Sequence, residues 1–217
     1  MKILLIAGHG QGDPGAVGNG YKEADLTREV VKLLKPQLDD YADVAIADIS
    51  KNWLNNKMDF SPYYYVLEIH FNAGANDKKG NNGTTGTEIY VTTSEKSHGV
   101  ETEIVKGISS IGFKNRGVKR KNWAVISRAK NQGVSSALLE VCFIDDADDM
   151  WLFQKRKAEV IKAIANGIIK GFGLEEETTD GVSIIKNKIG LADETVEYLK
   201  AYKFGDELIR KIANAVK

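Results

Sequence analysis

The sequence predicts an α/β protein: a single, mostly parallel, twisted sheet flanked by helices, followed by a small all-helical C-terminal module. Three observations carry that expectation. Apolar runs at Ile3–Ala7 and Val44–Ile49 are continuous, as in strands covered on both faces, rather than alternating. Segments of helical spacing separate these runs from later ones of the same kind. A short acidic stretch, Leu174–Gly181, then divides the chain from a further set of amphipathic segments.

Taken in order, further strands fit Tyr64–Ile69, Thr87–Thr92 and Ala137–Val141. Leu26, Val30, Leu33 and Leu34 share one face of a first helix, and Ile104, Ile108 and Ile111 mark a second. A long helix from about Asp148 to Gly171 places Trp151, Val160, Ile164 and Ile168 on its apolar side and ends in glycines. It should close a domain spanning 1–173. Asn81–Gly86 reads as a flexible loop. With 174–181 as linker, residues 182–217 outline two or three short helices, with Asp193 and Asp206 as N-caps of the later two. So short a unit is below the size that usually folds alone, and is expected to dimerise or to lean on the main domain.

Composition excludes several functions. The 217 residues are 42% hydrophobic and 28% charged, enough for one sizeable core. Lys plus Arg equals Asp plus Glu at 30 each, so no basic field exists to hold nucleic acid. The lone Cys142 rules out an internal disulfide and leaves any zinc to His and carboxylate ligands. The opening apolar run stops at Gly8, short of the roughly 7–15 residues of an export core, so no signal peptide is expected. No run reaches the roughly 18 apolar residues of a membrane span, and no membrane insertion is expected.

Chemistry concentrates at predicted strand ends. Of three histidines, His9 follows Ile3–Ala7 and His70 follows Val66–Ile69, and the crevice beyond such carboxyl ends is where open α/β sheets bind ligands. Glu140 ends a third strand, flanked by Leu139, Val141, Cys142 and Phe143; desolvation there would raise its pKa and suit it to exchanging a proton. Glu23 opens the first helix, where the dipole favours a carboxylate. Two imidazoles and a carboxylate form the His2Glu pattern of catalytic zinc sites, with a separate Glu as general base. Singly, each residue has a plainer reading. A strand-end histidine is more often a hydrogen-bonding residue, and Glu23 alone is a helix N-terminal carboxylate. His98 reads as solvated, Cys142 as core, and Asp145, Asp146, Asp148 and Asp149 as a loop and helix cap.

The local text around the four adds to this. Gly8-His9-Gly10-Gln11-Gly12-Asp13-Pro14-Gly15-Ala16 with Glu23 downstream, then Ile69-His70-Phe71-Asn72-Ala73, then Leu139-Glu140-Val141-Cys142-Phe143-Ile144, resemble the N-acetylmuramoyl-L-alanine amidase family of the zinc-dependent amidase_3 type. The resemblance runs over residues 1–173, with Thr85-Gly86-Thr87-Glu88 similar to the strand after the third ligand. It implies one Zn2+ held by His9, Glu23 and His70, and Glu140 as catalytic acid/base. It further implies hydrolysis, by zinc-activated water, of the amide between N-acetylmuramic acid and L-alanine in bacterial peptidoglycan. Departures occur at Gln11, at Glu68 in place of a Ser, and in Lys51–Phe60, which is short and lacks an Arg.

A small amidase with a trailing module is similar to a phage endolysin, expected in the host cytoplasm until lysis; a bacterial autolysin is the other origin. The module would then be wall-binding or a homodimer contact. The alternative keeps the zinc but makes the enzyme a carboxypeptidase or endopeptidase on the stem peptide. A dinucleotide-binding oxidoreductase is suggested by Gly10-x-Gly12-x-x-Gly15, but Asp13-Pro14 interrupts that loop and the helix begins only near Glu23. A wall-binding module with a degenerate site is disfavoured by the presence of all four positions.

Overall fold

The computed structural model describes residues 1–174 and 181–216. The chain divides into two compact units, Met1–Leu174 and Glu175–Lys217. The predicted linker therefore lies, apart from its two ends, outside the described residues.

The first unit is built on one six-stranded sheet. Its strands are β1 (Lys2–Ala7), β4 (Asp43–Ile46), β5 (Tyr65–Asn72), β6 (Thr87–Val91), β7 (Asn115–Arg120) and β8 (Ser135–Phe143), in the spatial order β4-β1-β5-β8-β6-β7. A two-stranded hairpin of β2 (Val17–Gly18) and β3 (Tyr21–Lys22) stands apart. Pairing is parallel throughout the large sheet except between β6 and β8. The four helices are α1 (Glu23–Leu38), α2 (Gly99–Ser109), α3 (Ala124–Asn131) and α4 (Ala147–Phe172).

Strand alternation feeds two cores of unequal size. Ile3, Leu5 and Ala7 of β1 join α1, α2 and α4 in the larger, whereas Leu4 and Ile6 join Trp53, Phe60, Val125 and Ala129 in the smaller. One face of the sheet is thus covered by three helices. The other has only α3 and the irregular segment around Trp53 and Phe60, which leaves room there for a cleft.

Several sequence expectations need correction. β7 and α3 leave no periodic signal in the sequence, because β7 carries one aliphatic residue among charged and polar ones and α3 is only eight residues long. Trp151 and Leu33 are 62% and 42% exposed rather than buried. The predicted flexible loop is tied down: Asn81 N donates to Asp148 at 2.7 Å, Thr85 N to Asp146 at 3.0 Å and Gly86 N to Asp149 at 3.0 Å. The acidic run does supply the cap of α4, where Asp146 accepts from Asp149 N.

The second unit holds α5 (Gly181–Ile184), a π-helical turn at Ile185–Ile189, α6 (Asp193–Ala201) and α7 (Gly205–Ala215), around a small core of Ile185, Val196, Ile209 and Ala213. The caps of α6 and α7 are Ala192 and Phe204; Asp193 and Asp206 lie inside the first turns, where they still meet the positive end of the helix dipole. No helix among the described residues is long and apolar enough to cross a membrane.

Gly167 of α4 marks a close approach to α2: an added Cβ would lie 2.6 Å from Ile104 Cα. Gly→Ala in a helix interior ordinarily stabilises by up to about 1 kcal/mol. Here Gly167→Ala should instead lower stability by roughly 1–3 kcal/mol through overpacking. Thermal unfolding checks the sign, and a raised melting temperature would contradict the close packing.

Candidate active site

Period-two alternation selects the strand residues of the site. Tyr65, Leu67, Ile69 and Phe71 of β5 enter the larger core, as do Ala137, Leu139 and Val141 of β8, so Glu68, His70 and Glu140 share the opposite, thinly covered face. Ile89 and Val91 of β6 leave Glu88 and Tyr90 on that face as well. His70 and Glu140 are register partners, and so are Glu88 and Glu140. His9 arrives in the loop after β1, and Glu23 begins α1. His9, Glu23, Glu68, His70 and Glu140 all line one cavity of about 380 Å³.

Glu23, 4% exposed, ties the pieces together. Its Oε1 accepts from Phe71 N at 3.0 Å and lies 2.9 Å from His70 Nδ1. Its Oε2 accepts from Ala16 N at 2.9 Å and lies 3.1 Å from His9 Nε2. The other nitrogen of His9, Nδ1, is 2.8 Å from Asp13 Oδ2, to which Asn52 Nδ2 also donates at 3.0 Å. Carboxylates behind an imidazole fix its ring and tautomer.

The loop that presents His9 is strained and must be held. His9 and Gln11 have positive φ values of 61° and 53°. Arg28 supplies the hold, donating to the carbonyls of Gly8, His9, Ala24 and Ile49. Gly10 leaves space for that guanidinium, since a Cβ there would meet Arg28 at 1.8 Å. A Cβ on Gly8 would meet the His70 ring at 2.4 Å. These glycines make room for side chains of the site; a phosphate cradle is not what they build.

Electrostatically the cluster holds more carboxylates than imidazoles. Burial would lower the His70 pKa, yet Glu68, Glu23 and Glu140 together hold it well above the usual histidine value. His9 is raised chiefly by Glu23. Burial opposes ionisation of Glu23, but its bonds to His70 and His9 keep it below the usual carboxylate range. Burial pushes Glu140 up to about 7, a value suited to taking and returning a proton near neutrality. Glu140 Oε2 and His70 Nε2 are buried without hydrogen-bond partners. Glu68 Oε1 is 3.2 Å from that nitrogen without forming a hydrogen bond.

His9, Glu23 and His70 each offer one ligand atom, and these atoms lie within 4.8 Å of one another. Two imidazoles and an ionised carboxylate, in a site with surplus negative charge, suit a divalent cation. All four residues singled out in the sequence therefore meet in one cavity. Sequence reasoning assigned no role to Asp13, Arg28, Asn52, Glu88 or Trp123. Only Asp13 and Glu88 had a signal, as letters within quoted motifs. His98 is exposed and Cys142 fully buried, as expected.

An α/β sheet that gathers two imidazoles, a carboxylate between them and a second, buried carboxylate beyond its strand ends has the donor set found in hydrolases of the His2Glu class. The chain belongs to the N-acetylmuramoyl-L-alanine amidase family (Amidase_3), whose pattern matches residues 3–170. It is similar to the sporulation-specific N-acetylmuramoyl-L-alanine amidase of Bacillus subtilis, with 28% identity over 84% of this chain and 72% of that protein. An endolysin of Bacillus phage SPP1 is 27% identical over 81% of this chain and 68% of its own length. Among solved structures, the catalytic domain of the amidase CwlV from Bacillus (Paenibacillus) polymyxa shares the fold, with a TM-score of 0.64 and 22% identity over 80% of this chain and 99% of that one. The carboxypeptidase or endopeptidase alternative finds no support among these relatives.

Proposed function

We propose that the chain hydrolyses the amide between the lactyl group of N-acetylmuramic acid and L-alanine of peptidoglycan, with one Zn2+ on His9, Glu23 and His70 and Glu140 as catalytic base. The supporting observation is that those three residues bring ligand atoms within 4.8 Å of one another beside the unpartnered Oε2 of Glu140. When bound, the metal polarises the scissile carbonyl and acidifies water. Glu140 accepts the proton of the attacking water and passes it to the departing amino group of L-alanine. Asp13 accepts a hydrogen bond from Nδ1–H of His9, which fixes the tautomer that leaves Nε2 free to ligate. The apolar residues around Glu140 exclude water and keep its carboxyl poised between its two protonation states.

The SPP1 relative supports reading the chain as an endolysin, held in the host cytoplasm until lysis. The sporulation-specific relative supports the second reading, a bacterial autolytic amidase. We assign to the C-terminal unit either binding to the wall or homodimerisation. Tethering would raise the concentration of the hydrolase on an insoluble polymer.

Purified walls incubated with the protein should lose turbidity and release peptides with a free amino terminus on L-alanine, read by mass spectrometry. Chelator should stop this, and Glu140→Gln should cut turnover by about 100-fold or more while zinc content stays constant. Lysis that persists in chelator would overturn the scheme. A chain ending at Leu174 should pellet less with walls or, where the full chain is a dimer by light scattering, become a monomer; if neither wall binding nor oligomeric state changes, the role given to the second unit is wrong.

A further inference from the structure

The cleft beside Glu140 has two unlike walls. One is neutral and rich in amides: Asn52 lines the cavity, and Gln11 Oε1 accepts from Asn52 N at 3.3 Å and from Asn56 Nδ2 at 3.0 Å. The other is aromatic, and the cations beside it stand outside the residues that line the cavity. Trp123 lines the cavity there, 36% exposed, and the Lys121 ammonium sits 3.7 Å from the centre of its ring. Tyr90 stands edge-on to Trp123 at 5.9 Å and donates its hydroxyl to Glu88 at 2.7 Å.

Positive charge around Glu88 and Trp123, beside this wall, is in surplus. Arg116 and Lys119 both reach Glu88 Oε2 at 2.5 Å, so two cations meet a single carboxylate. Lys121 has no ion-pair partner among the described residues, and its ammonium is held by the π face of Trp123 alone. The loop is fixed by its backbone. Lys121 N donates to Val91 O and Trp123 N to Lys121 O, both at 2.9 Å, and Asn122 Oδ1 accepts from Thr93 N at 2.9 Å.

We propose that Lys121 and Trp123 form a subsite for a carboxylate of the stem peptide, by which the enzyme distinguishes a stem whose second residue carries a free α-carboxyl from one carrying a carboxamide there. This rests on the amidase reading. In that substrate the lactyl carboxyl is consumed in the scissile amide, so the sugar side is neutral and the ionised acids lie on the peptide. Neutral hydroxyl and acetamido groups suit the amide wall. A carboxylate next to an apolar stem suits an ammonium standing over an indole. The attraction is exposed to solvent and therefore screened by salt.

The test uses two soluble muramyl peptides identical but for carboxyl or carboxamide on the second residue, hydrolysed by the full chain with zinc. At low salt, kcat/KM should favour the carboxylate by about three- to fivefold, the range of an exposed ion pair. The ratio should fall towards one at high ionic strength and in Lys121→Met, and survive in Lys121→Arg. Equal rates in the wild type, or a ratio untouched by Lys121→Met, would overturn the subsite. Calorimetry of the same pair on Glu140→Gln reads the subsite without turnover: tighter binding of the carboxylate supports it and equal affinities refute it. Absence of hydrolysis of either peptide would count against the amidase reading instead, and the calorimetric arm would still decide the subsite.

Discussion

The buried carboxylate of Glu23 is the interaction on which the rest of the site depends. It lies at the first residue of α1, within 3.1 Å of both imidazoles, and accepts two backbone N–H groups from different parts of the chain. A charge in so dry a place is costly unless it is paired and hydrogen-bonded. His9, His70, Ala16 and Phe71 must therefore all converge on it. That convergence explains the glycines beside the site: a Cβ at Gly15 would come within 2.7 Å of Glu23 Oε2 and of the His9 ring. It also explains Arg28, which takes four carbonyls of the adjoining backbone and steadies two residues at positive φ.

The sheet supplies the second constraint. Because β5 and β8 run parallel and in register, His70 faces Glu140 directly; because β6 runs antiparallel to β8, Glu88 faces Glu140 from the other side. Two like carboxylates so placed would repel, and the fold answers with cations from its edge strand. β7 brings Arg116 and Lys119 onto Glu88, which holds that carboxyl below its usual range although burial opposes this. Glu140 receives no cation from the edge strand, and burial outweighs the pull of His70, so it stays high. Neighbouring acids of one type are thus set to different charge states by what packs against them. The charged edge has a structural benefit too, since charged residues on an edge strand discourage pairing with another chain.

The acidic run after β8 works in a similar way on the loop opposite. Asp145 accepts from the backbone of Gly74, Ala75 and Asn76, and Asp146, Asp148 and Asp149 hold residues 81–86. A segment of Asn, Gly and Thr that reads as mobile is fastened by carboxylates more than sixty positions away.

The amino-acid sequence by itself determined the fold class, the strands beside or on which His9, His70 and Glu140 lie and the long helix α4; Glu23 was marked out by the family resemblance rather than by its own surroundings. Those features are local: continuous apolar runs, helical spacing, and a polar residue where an apolar strand ends. Tertiary structure alone decided the rest. β7 and α3 escaped because an edge strand and a one-sided short helix need few apolar residues, so periodicity has little to register. Trp151 has the spacing of a core residue and lies in solvent. Asn52 and Trp123 sit in irregular segments, and their place on the cleft walls comes from the loops that join distant strands. Pairing, register and charge balance arise between residues far apart in sequence, and no local pattern records which ones will meet.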